Sequence, residues 1–88
     1  MKKVKMYTTP ICGYCVMAKR LLQARDIAFE EIDVAGDSET RIWLVETTGR
    51  RTVPQLFIGD ESIGGYQELA ALDRSGALQM KLRDEASP

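Results

Sequence analysis

The sequence predicts an α/β domain: a four-stranded mixed sheet, in the order β-α-β-α-β-β-α, with helices on its faces. Three observations carry that expectation. A strand, a helix and a second strand follow one another at the length of a βαβ unit, which makes those strands parallel with a right-handed crossover. Gly59-Asp60 is a hairpin signal, which makes the last two strands antiparallel. The chain has 88 residues, which is one small domain (1–88) at about 100–200 residues per domain. A chain of this size buries only about 60–65% of its unfolded surface, so its core is thin.

Each element has its own signal. Lys3 to Tyr7 alternates, with Val4 and Met6 on one face, and reads as a strand stopped by Thr8-Thr9-Pro10. From Gly13 to Arg25 the apolar residues Cys15, Ala18, Leu21 and Leu22, with Ala24 or Arg25, fall at helical spacing. Lys19, Arg20 and Gln23 take the wet side, and Asp26 breaks the run. Ala28 to Val34 alternates imperfectly and reads as the second strand. Asp37 or Ser38 is the N-cap of a helix over Glu39–Thr47, with Ile42 and Val45 inward and Gly49 as its stop. Thr52 to Ile58 is an extended entry, a proline and a strand, and Glu61-Ser62-Ile63 returns across the hairpin. After Gly64-Gly65 comes a helix from Tyr66 to Arg74, with Leu69 and Ala70 along it, then Leu72 or Asp73, closed by Gly76. Ala77 to Leu82 adds a turn or two, and the tail from Asp84 to Pro88 is expected to fray.

Composition excludes several classes. Lys+Arg is 12 and Asp+Glu is 13, a formal net charge of −1, so no basic field attracts nucleic acid. No apolar run approaches the roughly 20 residues of a membrane span. Val4-Lys5-Met6-Tyr7-Thr8-Thr9 breaks any signal-peptide core after Met1-Lys2-Lys3. The expected location is therefore cytoplasmic. Histidine is absent, which removes the usual general base and the usual zinc ligand.

The chemistry concentrates in Cys12-Gly13-Tyr14-Cys15, where a strand ends and a helix begins. Cys12 stands at the helix N-terminus and Cys15 one turn later on the same face. Unpaired N–H groups and the dipole favour a thiolate there. Thiols so placed fall from about 8.5 to roughly 3.5–7.5. Three plainer readings compete. A structural disulfide across so short a loop removes little chain entropy. A zinc site needs four ligands, and this pair supplies two. Two inert buried cysteines would not account for the strand-to-helix position of the pair.

Two further stretches stand out. In Thr52-Val53-Pro54, the Val-Pro bond is a candidate cis peptide at a strand entrance. Either Pro54 merely ends a loop, or Val53 offers its backbone N–H and C=O to an extended ligand. In Gly64-Gly65-Tyr66-Gln67-Glu68, glycines allow close backbone approach and the amides of Tyr66 and Gln67 open a helix. That opening suits a carboxylate, and Glu68 an ammonium. The plainer reading is a turn followed by an acid in the first helical turn.

Together, Cys-x-Tyr-Cys, Thr-Val-Pro and Gly-Gly-Tyr at these spacings resemble the glutaredoxins of the short bacterial class, from about Lys3 to Leu82. The resemblance implies a thioredoxin fold and a glutathione-dependent thiol–disulfide oxidoreductase. Cys12 would be the nucleophile and Cys15 the resolving thiol, with Tyr14 flanking the bound sulfur. Thr52, Val53 and a cis Pro54 would hold the glutathione cysteine, and Gly65, Tyr66, Gln67 and Glu68 its γ-glutamyl head. Arg41 would meet the glycine carboxylate; its plainer reading is a solvated helix charge. The implied partners are glutathione and proteins carrying glutathione or a disulfide, with the enzyme a monomer.

Three departures from the family pattern matter. Thr9 stands where the family often has Lys, leaving Lys19, Arg50 and Arg51 as the candidate replacements. Glu68 replaces the commoner Asp. Gly13 replaces the commoner Pro, and family members with Gly or Ser there make a bridging iron–sulfur cluster, [2Fe-2S], the alternative. That cluster would be held by Cys12 of two subunits and two glutathiones.

Overall fold

The computed structural model describes residues 1–83. The expected frayed tail, residues 84–88, lies outside them. The elements run β1 (Val4–Thr8), α1 (Gly13–Ala24), β2 (Glu30–Asp33), α2 (Ser38–Thr48), β3 (Gln55–Ile58), β4 (Glu61–Gly64), α3 (Tyr66–Ser75) and α4 (Ala77–Leu82). The sheet has four strands in the order β2-β1-β3-β4. β1 pairs parallel with β2, Tyr7 opposite Ile32, and antiparallel with β3, Met6 opposite Leu56. β3 and β4 are antiparallel, as the hairpin signal predicts.

Alternation along the two central strands sorts the core into two halves, because successive side chains point to opposite faces. Val4 and Met6 of β1 and Leu56 and Ile58 of β3 face one way. Ala18 and Leu22 of α1, Leu69 of α3 and Leu78 and Leu82 of α4 cover them. Tyr7 and Phe57 face the other way, against Val34 and Leu44. Trp43 stacks on Phe57 at 5.7 Å and tilts over Tyr7 at 5.9 Å.

Local chemistry sets the boundaries. Arg25 closes α1, and Asp26 follows at φ 56°. Asp37 is the N-cap of α2, accepting from the Thr40 amide at 3.1 Å and the Thr40 hydroxyl at 2.7 Å. Gly49 ends α2 at φ 76°, a left-handed conformation that glycine adopts without a Cβ clash.

Three expectations are corrected. Ile42 is not inward: it is 57% exposed, while Leu44 is buried and Val45 half-buried. Ile42-Trp43-Leu44-Val45 is a run of four apolar residues, so the pattern does not choose a face; packing against Tyr7 and Phe57 does. The second strand is shorter than Ala28–Val34: it spans Glu30–Asp33, and the Val34 amide adds one bond to the Thr8 carbonyl at 2.8 Å. Ala24 and Arg25 are exposed, and Arg25 instead makes a two-point ion pair with Asp73 at 2.8 and 2.9 Å.

Candidate active site

β1 delivers the chain to Thr9-Pro10-Ile11, and α1 starts at Gly13. Cys12 is the N-cap of α1, in extended conformation, and its sulfur accepts the Cys15 amide at 3.1 Å. A helix begins with amides that lack intrahelical acceptors and carries about half a positive charge there. Both act on this sulfur. Cys12 itself is half-buried, and Ile11, immediately before it, is 97% exposed. Cys15 is 2% exposed. The two sulfurs are bonded to each other, so the structure is the oxidised form, with Cα atoms 5.2 Å apart.

The strand-to-helix turn meets the loop before β3. The Cys12 sulfur lies 3.7 Å from the Val53 carbonyl oxygen, and the Val53–Pro54 bond is cis. Buried Gln55 braces this loop by donating its Nε2 to the Thr52 carbonyl at 2.8 Å. Its Oε1 has no hydrogen-bond partner among the described residues. The backbone of Gly65 packs closely on Pro54: a Cβ at Gly65 would stand 3.3 Å from the Pro54 carbonyl oxygen.

α3 supplies the other wall. Glu68 reaches back to the first turn and accepts the Gly65 amide at 2.8 Å. Arg50 meets the same carboxylate at 3.2 and 3.3 Å. Donation from Arg50, then from the Gly65 amide, holds the Glu68 carboxyl below its usual range. Glu68 is therefore already partnered in this form. Tyr14 at the start of α1 and Tyr66 at the start of α3 stack at 6.2 Å, two aromatic walls in line.

Between these parts lies a cleft of about 250 Å³ lined by Tyr14, Arg50, Thr52, Val53, Pro54, Gly65, Tyr66, Gln67 and Glu68. Eight of the predicted binding residues thus converge. Arg41 does not line that cleft. It lines a larger chamber of about 530 Å³, which adjoins the first by sharing Arg50, Thr52 and Val53. Of the candidate replacements for the missing lysine, Lys19 is tied to Glu31 at 3.1 Å, Arg50 enters the cleft and Arg51 lines the chamber. Gln55 was not among the predicted residues. Its only signal is a polar residue at the head of a buried strand.

Among the described residues no three His, Cys, Asp or Glu side chains converge as a metal site. With Cys15 buried, one chain offers one accessible sulfur, and an iron–sulfur cluster takes four ligands. These residues alone do not complete that set. No helix of the described residues is long and apolar enough to cross a membrane.

Comparison with known proteins agrees with this geometry. The glutaredoxin family model matches residues 4–63. A Pseudomonas aeruginosa glutaredoxin is 44% identical over 82 residues, covering 93% of this chain and 98% of that protein. Escherichia coli glutaredoxin 3 is 40% identical over 83 residues, covering 94% of this chain and 100% of that protein. The crystal structure of a buckwheat glutaredoxin–glutathione complex superposes with a TM-score of 0.85 at 30% identity, covering 92% of this chain and 76% of that one. With a thioredoxin-type sheet, a Cys-x-x-Cys pair capping its first helix and relatives matched along nearly their whole length, the chain belongs to the glutaredoxin family of thiol–disulfide oxidoreductases.

Proposed function

We propose that the protein reduces glutathione mixed disulfides and protein disulfides, with Cys12 as nucleophile, Cys15 as resolving thiol and glutathione as co-substrate. The observation that carries this reading is the Cys12 sulfur itself. It caps a helix, accepts an amide at 3.1 Å and lies at 3.7 Å from the backbone of Val53.

The reaction starts from the reduced pair. Cys12 thiolate attacks the glutathione sulfur of a mixed disulfide. A Cys12–glutathione disulfide forms, the old S–S bond breaks, and the substrate sulfur leaves with the electron pair and takes a proton from water. The thiolate of a second glutathione then attacks the bound glutathione sulfur. Oxidised glutathione leaves and Cys12 returns as thiolate. With a protein disulfide, Cys12 forms the mixed disulfide and Cys15, after losing its proton, attacks the Cys12 sulfur. The second substrate thiolate leaves, and the enzyme carries the Cys12–Cys15 bond. Two glutathiones reduce it again. Exchange of this kind requires a thiolate attacker and an accessible target sulfur.

In this reading the glutathione cysteine pairs with the Val53 backbone, as an added strand pairs with an edge. The γ-glutamyl carboxylate takes the Tyr66 and Gln67 amides at the start of α3. Glu68 takes the ammonium as a further partner beside Arg50, and Arg41 receives the glycine carboxylate at the far end. The named glutathione complex of the buckwheat relative supports glutathione as the ligand. Reduced glutathione is supplied by a reducing compartment, which supports the cytoplasm as the place of work.

The test is a glutathione mixed-disulfide assay on single-cysteine variants. Cys15→Ser keeps deglutathionylation and loses protein-disulfide reduction, whereas Cys12→Ser loses both. Wild-type turnover of mixed disulfides by Cys12→Ser would overturn the assignment.

A further inference from the structure

We infer that the chamber beside the cleft selects substrates by an acidic residue on the C-terminal side of their reacting cysteine, in peptides and protein disulfides alike. The inference deepens the proposed function and rests on its placement of glutathione along Val53.

The larger space is not the one that holds the tripeptide's cysteine and γ-glutamyl head. The cleft measures about 250 Å³ and the adjoining chamber about 530 Å³. Arg50, Thr52 and Val53 line both, so the two spaces adjoin at these residues. The γ-glutamyl head lies at the start of α3 and the cysteine at Val53, so the chain beyond the cysteine leads toward α2 and the chamber. Glutathione contributes a single residue in that direction. A peptide or protein substrate continues, advancing about 3.3 Å per residue when extended.

The chamber's lining states what it takes. Val34, Ile42 and Val45 make an apolar wall, and Ile42 stays 57% exposed on it. Arg41 and Arg51 line it, and neither has an ion-pair partner among the described residues. Arg50 is already held by Glu68 at 3.2 Å. Glu46 also lines the chamber and offsets one of the two free guanidiniums. A local positive excess therefore faces a partly apolar wall, on a chain whose formal net charge is −1. General attraction does not favour an acidic substrate here; local pairing does. Guanidinium groups suit carboxylates because their planar fork matches both oxygens. Glutathione's glycine carboxylate engages Arg41 and leaves Arg51 for a carboxylate one residue or more further on. Thiol–disulfide exchange itself is unchanged, since only the flank of the substrate differs.

The test compares two blocked peptides, acetyl-Ala-Cys-Gly-Glu-Ala-amide and its Lys counterpart at the Glu position, each with the cysteine in a disulfide with thionitrobenzoate. Release of thionitrobenzoate by the reduced full-length protein is followed in a single turnover. The glutathione–thionitrobenzoate disulfide is the control. The acidic peptide reacts about fivefold faster than the lysine peptide, the scale of one exposed ion pair, and the preference fades at high salt. Arg51→Glu removes or inverts the preference. Equal rates for the two peptides on the unaltered protein would overturn the inference, as would a preference that Arg51→Glu leaves intact. If instead the control disulfide reacts equally well with Cys12→Ser, the underlying reading of the site is what fails.

Discussion

The amide of Cys15 donates to the sulfur of Cys12 across 3.1 Å, so the backbone of the buried cysteine is placed to stabilise negative charge on its half-buried partner once the bond between them is reduced. This contact does not need the Cys15 thiol. It therefore survives Cys15→Ser, and with it the first step of exchange.

The first prediction concerns ionisation. The amide and the helix start act together on Cys12, without the lysine that Thr9 replaces. Alkylation of reduced protein is expected to titrate with a midpoint below the ~8.5 of free cysteine, and glutathione disulfide is expected to protect the sulfur. Inserting a positive charge by Thr9→Lys lowers the midpoint further. A midpoint at the free-thiol value would remove the electrostatic basis of the site.

A second prediction concerns acid stability. Glu68 is held below 4.5 by Arg50 first and the Gly65 amide next. A carboxyl whose folded pKa is depressed contributes stability that is fully present above its unfolded pKa and is lost as pH falls through the folded value. Glu68→Gln should therefore unfold at a lower temperature than the parent at neutral pH, with the gap closing as pH falls below 4.5. The group is partly solvated, so the gap is small. Thermal melts from neutral to acid pH measure it, and a gap that does not change with pH would contradict the pairing.

Gly64 provides the third. It sits at φ 100°, and a Cβ there would stand 2.9 Å from the Glu68 Cγ. Gly64→Ala both strains the backbone and pushes Glu68 off the Gly65 amide. The expected loss is about 1–3 kcal/mol in urea unfolding, together with weaker glutathione binding. Loss of stability without any change in binding would separate Glu68 from the ligand.

The fourth tests the core that holds α1 in place. Leu22 is fully buried against the sheet from the helix that Cys12 caps. Leu22→Ala should cost about 2–5 kcal/mol by denaturant unfolding. Its folded fraction should keep the low alkylation midpoint of Cys12, because the cap is local to the first turn. A raised midpoint in the folded variant would tie the thiolate to the core instead.

Much of this molecule was legible in the order of its residues. Strand alternation, a cap at Asp37 or Ser38, the Gly49 and Gly76 stops and the Gly59-Asp60 hairpin all act within a few residues of themselves. So does the position of Cys12 at the head of a helix, which spacing alone placed. The approach of Cys12 to Val53 spans 41 residues and entered only through family resemblance.

What the tertiary structure alone decided are contacts between groups that carry no mutual signal along the chain. The four-residue apolar run of α2 had no preferred face until Tyr7 and Phe57 selected Leu44. Glu68 reads from the sequence as a partner for an ammonium, and only the fold brings Arg50, 18 residues before it, to the same carboxylate. Lys19 looked free to stand in for the missing lysine until β2 brought Glu31 to it. Local propensity acts over a turn of chain, whereas a charge takes whichever opposite group packing leaves nearest, and only the folded backbone sets those distances.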